Sequence, residues 1–333
     1  MINKQTLQKQ HSFFNKLKSI VPSNISFVEI LAEILDLSID SVYRRIRGET
    51  ALTLEEAIKL CESFHISIDS LIDFSYDTVT FNYTPITTNI ETFKNYLKTM
   101  CDDINLISKV EIKKIIYVAD DIPIFHLFEF EELAAFKMYY WLKSVVNVPE
   151  YQSKKFSIQC LDEDILKIGK KLKEEYNKLP SIEIWTENTT NSIRKQIEYY
   201  YEAGLFEKNK EAFLLLDQLE ALIRNITHKA EKNSKLPNII QNNFSVYFSE
   251  VEIGNNCILA FANDFKKVYL TFNTFNVMST INQKFCDEVY LWINCIISKS
   301  NLISGISEKQ RLIFIHRTVE KIEELRKKLS RIY

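Results

Sequence analysis

Residues 5 to 75 predict a run of five short helices with no strand pattern among them. Apolar residues recur at helical spacing along these segments. Ser38 stands where an N-cap belongs, and Thr53 followed by Glu56 has the spacing of a capping box. Gly48 stands where a glycine ends a helix. The first quarter of the chain is therefore predicted to fold as a small all-α domain.

The remainder of the chain mixes strand and helix patterns. The apolar run KIIYVA predicts a buried strand, and SIEIW alternates as a second strand. Residues 243–276 predict an antiparallel meander of three strands with turns at 254–256 and 263–264. Long amphipathic helices surround these strands, and two more close the chain. We therefore predict a C-terminal α+β domain with a small antiparallel sheet and several helices.

The boundary between the two parts lies in a stretch that is rich in Thr, Asn and Tyr and contains Pro85. We assign residues 1–75 to the helical domain, 76–90 to a linker and 91–333 to the α+β domain. The chain is predicted to be a multidomain protein.

The overall charge limits the kinds of partner. A formal net charge of −2 does not suit a protein that coats nucleic acid over its whole surface, so any such surface must be a local patch. The polar N-terminus lacks the apolar core of a signal peptide, and the longest apolar run is about half a membrane span. We expect a soluble, cytoplasmic protein that does not contact membranes.

Motifs for catalysis and cofactor binding are absent from the sequence. The five glycines are too far apart for a phosphate-binding loop, and the six cysteines form no CxxC pair. His126, His228 and His316 are scattered without a partnered nucleophile. We therefore expect no metal, no cofactor, no catalytic residues and no enzymatic activity.

Positive charge is concentrated on one predicted helix, in the stretch SIDSVYRRIRGET. At about 100° per residue, Val42 and Ile46 face inward with Ile39 beside them. The outward stripe consists of Asp40, Tyr43, Arg44 and Arg47. The alternative is an ordinary solvated face, in which Asp40 pairs with Arg44 and Arg45 pairs with Glu49.

The charges around this helix favour a binding surface. Residues 1–28 contain four lysines and no acidic residue, and residues 48–76 contain six acidic residues against the single Lys59. The lysines are Lys4, Lys9, Lys16 and Lys18. The domain is therefore polarised, with positive charge on its first and third helices, and such a surface attracts phosphates.

The same residues carry a family resemblance. The stretch from Leu31 to Ile72 resembles the Cro/lambda-repressor-like (XRE-type) helix-turn-helix family. Leu35 lies on the first motif helix, Leu37 and Ser38 form the turn, and Val42 anchors the second helix. Gly48 follows that helix, and ISIDSL is similar to the closing helix of the family.

The resemblance implies that the second motif helix enters the DNA major groove. It nominates Ile39, Asp40, Tyr43 and Arg44 for the base edges, with Arg44 suited to guanine because its fork matches two acceptors. Ser38 is also expected to lie at the DNA-binding surface. Phosphate contacts are expected from Arg45, Arg47, Lys16 and Lys18. Arg45 stands where the family often has an apolar residue, so we expect Ile46 to take over as the anchor.

The resemblance also implies a function. We expect a sequence-specific transcriptional regulator that binds double-stranded DNA as a homodimer, since one helix-turn-helix reads one half-site. The C-terminal domain would serve sensing of a small-molecule or protein effector, or dimerisation. The alternatives are a protein-interaction module that uses the same fold, and an enzyme tethered to DNA.

Two features of the C-terminal part have open interpretations. Trp185, Tyr199 and Tyr200 could line a ligand pocket, or they could cover the core. The last predicted helix carries an apolar stripe that suits either a dimer seam or packing on the sheet, and we prefer the core interpretation. The stripe consists of Leu312, Ile315, Val319, Ile322, Leu325, Leu329 and Ile332.

Overall fold

The structure is a computed structural model that describes residues 4–21, 26–64, 78–236 and 243–332. The chain divides into two compact units. The first holds Met1–Asn82 and Thr280–Asn282, and the second holds Tyr83–Ser279 and Gln283–Tyr333. The fifth helix predicted for the N-terminal domain, over SIDSLIDF, lies outside the described residues.

The first unit contains four described helices around one small core. They are α1 (Lys4–Ile20), α2 (Phe27–Leu35), α3 (Ile39–Ile46) and α4 (Leu54–Ser63). All four contribute buried side chains, because each helix has one apolar stripe. The buried residues are Phe13, Phe14, Leu17, Leu31, Leu35, Val42, Ala57, Leu60 and Cys61.

The helix ends in this unit follow the signals in the sequence. The Ser38 side chain accepts a hydrogen bond from the Ser41 amide, and the capping box of Thr53 and Glu56 is complete. Gly48 has φ 74°, the left-handed conformation that favours glycine. The predicted end of α3 at Gly48 and the predicted start of α4 at Thr53 are therefore confirmed.

The second unit is a mixed α/β structure. Its helices are α5 (Ile90–Ser108), α6 (Ile124–Leu127), α7 (Glu131–Tyr140), α8 (Pro149–Gln152), α9 (Glu163–Lys178), α10 (Asn191–Glu202), α11 (Lys210–Glu231), α12 (Gln283–Ser298) and α13 (Glu308–Leu329). A π-helical turn over Trp141–Val145 continues α7. Within the described ranges, no helix combines the length and the apolar character needed to cross a membrane.

Eight strands form a single mixed sheet. They are β1 (Asn82–Tyr83), β2 (Lys113–Ala119), β3 (Ser181–Thr186), β4 (Phe244–Ser249), β5 (Cys257–Ala262), β6 (Phe265–Phe272), β7 (Asn276–Thr280) and β8 (Asn301–Leu302). The strand order is β1-β7-β6-β5-β2-β3-β4-β8. Strands β2, β3 and β4 are parallel neighbours, whereas β5 is antiparallel to both β2 and β6.

The predicted small antiparallel sheet is therefore wrong. The turn between β5 and β6 forms as expected, but β4 pairs in parallel with β3 and not with β5. The reason is that long helical segments separate β2 from β3 and β3 from β4, and a crossover helix returns the chain to a parallel neighbour. The N-terminal helices are present, and the C-terminal unit is a large mixed α/β structure.

The two faces of the sheet are covered unequally. On β2, Ile115 and Tyr117 pack into the large core that most of the helices cover, whereas Ile116 and Val118 pack into a smaller core under α12. This alternation follows from the period of two in a strand. A continuous apolar run such as KIIYVA needs cover on both faces, and the structure supplies it.

The residues of the apolar stripe on α13 differ in how deeply they are buried. Ile322, Leu325 and Leu329 are buried in the large core, which fits the interpretation that we preferred. Ile315 and Val319 are half-buried, and Leu312 and Ile332 are exposed. The middle and later part of the stripe is therefore explained by packing in the large core, where α13 contacts α10 and α11.

The large core encloses a charged network around Glu183 of β3. One carboxylate oxygen accepts hydrogen bonds from His126 (2.7 Å) and from the Tyr176 hydroxyl (2.6 Å), and the other accepts one from the Trp185 indole (2.8 Å). Burial alone would raise the pKa of Glu183, but the charge of His126 and these three donors lower it to about 2. A buried carboxylate with this many donors is fully compensated.

His126 has the opposite shift. Its burial lowers the pKa, but the nearby carboxylates of Glu183 and Glu129 raise it above the ordinary value. The charged pair therefore contributes most stability between about pH 4.5 and 6.5. Below this window the contribution is lost as the pH falls towards the lowered pKa of Glu183. Above it, the contribution is lost as the pH rises through the raised pKa of His126.

We predict that Glu183→Gln lowers the free energy of unfolding by about 3–5 kcal/mol at pH 6, because the buried His126 then loses its closest carboxylate and keeps only Glu129 nearby. The loss is smaller at pH 3.5, since the unfolded wild-type chain already binds the extra proton there. Urea unfolding at the two pH values measures both effects.

The matched control is Glu163→Gln on the exposed start of α9, which we expect to change stability by less than about 0.5 kcal/mol. Equal effects of the two substitutions would show that the Glu183 network does not hold the core.

Candidate nucleic-acid interface

The α2–turn–α3 segment has the layout of a helix-turn-helix. Leu31 and Leu35 on α2 and Val42 on α3 are buried together, so one apolar core fixes both helices. Asp36 ends α2 in the left-handed conformation, with φ 53° and ψ 49°. Aspartate tolerates this conformation better than most residues, and it lets the chain turn within three residues.

The end of α3 is fixed by Gln10 of α1, which the sequence analysis missed. The Gln10 amide nitrogen donates to the carbonyl oxygens of Arg45 (2.7 Å) and Thr50 (2.8 Å), and its oxygen accepts from the Leu52 amide (2.9 Å). One buried side chain thereby satisfies three backbone groups after α3. The sequence did contain a signal that Gln10 faces the interior, since it lies on the same helical face as Phe14 and Leu17.

Arg45 is part of the interior of the domain. Its guanidinium donates to both carboxylate oxygens of Glu56 at 2.6–3.1 Å and to the Ser41 carbonyl at 3.2 Å. Only 14% of its side chain is exposed. Arg45 therefore does not join the phosphate-binding surface that we expected, because its charge is already neutralised by α4.

Glu56 has two structural tasks at once. Its carboxylate completes the capping box by accepting the Thr53 amide, and it also holds Arg45. Burial raises the pKa of Glu56, but the bonds from Arg45 and Thr53 outweigh it and leave the pKa below the ordinary value. The start of α4 and the last turn of α3 are therefore joined through one carboxylate.

The outer face of α3 is exposed. Ile39, Asp40, Tyr43, Arg44 and Arg47 all present their side chains to solvent. The ion pairs of the alternative interpretation, Asp40 with Arg44 and Arg45 with Glu49, are not seen among these described residues, since Arg44 lies near Glu49 and Arg45 pairs with Glu56. The structure thus brings together five of the nominated base- and phosphate-contacting residues on one face.

The two exposed arginines share a single acidic neighbour. Glu49 lies 3.7 Å from Arg44 and 2.8 Å from Arg47, and the arginine side chains remain 58% and 56% exposed. Exposed pairs of this kind contribute about 0–1 kcal/mol. A phosphate can therefore replace Glu49 at little cost.

The remaining nominated residues of this domain have different positions. Ser38 is exposed at the start of α3, but its hydroxyl contacts Ser41 at 2.9 Å and caps the helix. Lys18 is exposed on the last turn of α1. The side chain of Lys16 lies outside the described residues.

The three aromatic residues nominated for a ligand pocket do not form one. Trp185 and Tyr200 are fully buried in the large core, and Tyr199 is exposed. Trp185 donates to Glu183, and the Tyr200 hydroxyl lies 2.6 Å from the Ser144 hydroxyl. The core interpretation therefore holds for Trp185 and Tyr200.

A second polar cluster lies at the carboxyl edge of the parallel strands. The buried Lys137 ammonium donates to Asp121 (2.5 Å), Ser192 (3.3 Å) and Gln196 (3.2 Å). Ligands of open α/β sheets often bind at this edge. Here the protein's own lysine occupies it, and its three donors are satisfied.

We predict that Arg45→Ala destabilises α3 and α4 by about 2 kcal/mol, because charge-assisted bonds of a half-buried pair are lost and Glu56 keeps only its capping role. Amide hydrogen exchange in α3 and α4 should become about 30-fold faster. Arg44→Ala, one residue away, is the matched control and should leave these rates within about twofold. Similar rates in the two variants would contradict the structural role of Arg45.

Residues 23–97 of the chain match a family model described as the BetR domain, which is a helix-turn-helix type of DNA-binding domain. The match includes α2, α3 and α4. No curated protein matches the chain. No solved structure matches it either. The matched part of the chain accordingly indicates a DNA-binding, regulatory role.

Proposed function

We propose that the chain is a sequence-specific transcriptional regulator whose α3 enters the major groove of double-stranded DNA. The observation that carries this proposal is the exposed face of Tyr43, Arg44 and Arg47 on a helix whose other side is held by Val42. The helix is firmly positioned, and its outer side chains are free to contact a duplex.

Within this face the residues have different tasks. Arg44 lies in the last turn of α3 and is the residue for a guanine edge, where a bidentate contact discriminates by about 1–3 kcal/mol. Arg47, at the end of the helix, and Lys18 on α1 suit phosphates. Arg45 contributes indirectly, by holding α3 against α4.

The second unit has the size for a sensing or dimerisation role. An open groove of about 430 Å³ is lined by Leu312, Ile315 and Val319 of α13, with Arg224 of α11 on its rim. His316, Glu320 and Glu323 of α13 line the groove as well, so this volume suits a small effector that has both apolar and polar groups. Binding of such an effector would be seen by calorimetry with a panel of metabolites, and Val319→Glu should abolish it.

A protein-interaction role for the helical domain is the second candidate. Leu54 and Ile58 lie one turn apart on α4, and both are exposed. Such a pair suits an apolar partner surface. Salt separates the two functions, because DNA binding weakens by orders of magnitude as salt rises and an apolar contact does not.

We predict that Arg44→Ala changes the preferred sequence at one base position, whereas Lys18→Ala weakens binding to every sequence alike and lowers the salt slope by about one. The measurement is selection of bound fragments from a random DNA pool, followed by titrations at several salt concentrations.

Lys167→Ala, an exposed lysine of α9 in the other unit, is the control and should change neither property. A wild-type chain that binds no fragment at low salt would exclude the DNA-binding proposal and favour the protein-interaction role.

A separate prediction concerns Glu49. Because it contacts both Arg44 and Arg47, Glu49→Gln removes a competing negative charge and should tighten DNA binding by about 3- to 10-fold at low salt. Glu62→Gln at the end of α4 is a matched control with an exposed carboxylate. An equal gain from both variants would mean that only net charge matters.

A further inference from the structure

The outer face of α12 is apolar where a surface helix is normally polar. The inner face packs Cys286, Ile293 and Ile296 against the sheet. On the opposite side Leu291 is 64% exposed and Trp292 is 43% exposed. A surface helix places polar residues on its solvent side, so these two large apolar side chains are unusual.

The exposed stripe continues along the helix in one line. Glu288, Leu291, Trp292 and Cys295 lie on one side of α12, with Leu291 and Trp292 adjacent in the chain, and Lys299 follows directly after the helix ends at Ser298. All five are exposed. Exposed tryptophan is enriched at protein–protein contacts and often dominates their energy. The stripe has an acidic residue at one end, a basic residue at the other and an apolar centre.

The charged ends of the stripe have no partner in the part of the chain that the structure describes. Asp287, one residue away, pairs with Lys266 of the sheet. Glu288 and Lys299 make no ion pair among the described residues. Their charges are therefore available to a second molecule.

We propose that α12 is a self-association face, on which two copies of the chain pair their α12 helices antiparallel about a two-fold axis. Such pairing, centred between Ile293 and Asn294, places Glu288 of each copy opposite Lys299 of the other. Trp292 then lies opposite Cys295 of the second copy. An isologous contact of this kind closes as a dimer.

Charge complementarity selects this arrangement over the alternatives. A parallel pair would place Glu288 against Glu288 and Lys299 against Lys299, and like charges repel. An antiparallel pair shifted by one turn, centred near Leu291 and Trp292, would place Glu288 against Cys295, so the acidic and basic ends of the two stripes would not meet. Only the register that pairs Glu288 with Lys299 combines an apolar centre with opposite charges at both ends.

A dimer formed through α12 would hold two DNA-binding domains in one assembly, but the formation of this dimer does not depend on DNA binding. One helix pair is smaller than a standard interface of about 1,600 Å², so the dimer should dissociate in the micromolar range. The association is tested in the absence of DNA, which keeps its failure separate from a failure of the proposed function.

The test is sedimentation velocity of the full-length chain from about 1 to 100 µM, flanking the dissociation constant expected for a weak interface. The wild-type chain should shift from monomer to dimer. Trp292→Glu should stay monomeric and keep its helical circular dichroism, because the side chain points away from the core. Leu312→Glu, on the exposed part of α13, is the control and should dimerise normally.

A charge exchange tests the register itself. Glu288→Lys and Lys299→Glu should each weaken association by about 10-fold, and the double variant should restore it, because the two opposite pairs are re-formed. A bis-maleimide cross-linker should join Cys295 of the two copies in the wild type and not in Cys295→Ser.

A wild-type chain that stays monomeric at 100 µM would overturn the proposal. A dimer that Leu312→Glu disrupts and Trp292→Glu does not would overturn it as well, since association would then use α13. A double charge variant no better than the single variants would exclude the register.

Discussion

The ion pair between Arg45 and Glu56 holds α3 against the start of α4. A short helix has little stability alone, so its position depends on the contacts that hold it. Val42 supplies the apolar contact, Gln10 fixes the backbone after the helix, and Glu56 joins α3 to the start of α4. With its inner side fixed in this way, the outer side can be polar and positively charged without loss of order.

The sequence predicted the described helices of this domain well, because the residues that begin or end a helix lie next to it in the chain. Ser38, Gly48 and the capping box at Thr53 act within one turn, so their effect is visible in a short window. The role of Arg45 was not predictable in this way. Its partner Glu56 lies on the next helix, and a helical wheel shows only that Arg45 is on a different flank from Arg44. The available signal was that Arg45 is charged, whereas the family that this stretch resembles often has an apolar residue at that position.

The C-terminal sheet shows a different limit. Most strands were located correctly, since apolar runs and alternation are local patterns. The pairing between strands is not a local pattern. Strand β4 pairs with β3 although α10 and α11 lie between them in the sequence, and the stretch FSVYFS alone does not indicate which strand it pairs with. The three strands β2, β3 and β4 alternate with helices, which is the pattern of a parallel sheet. The buried partners Glu183 and His126, far apart in the sequence, are a consequence of that topology and could not be assigned before it.

The charged residues of the chain lie in two kinds of environment. Buried charges such as Lys137 and Glu183 are hydrogen-bonded by the protein's own groups. On α3 and on α12 the charges stay exposed, next to Tyr43 and Trp292. If α12 pairs two copies weakly, each DNA-binding domain raises the local concentration of the other at a paired site. If the helical domain also binds half-sites as proposed, the two weak associations would reinforce each other, and a paired site would be bound more tightly than a single half-site.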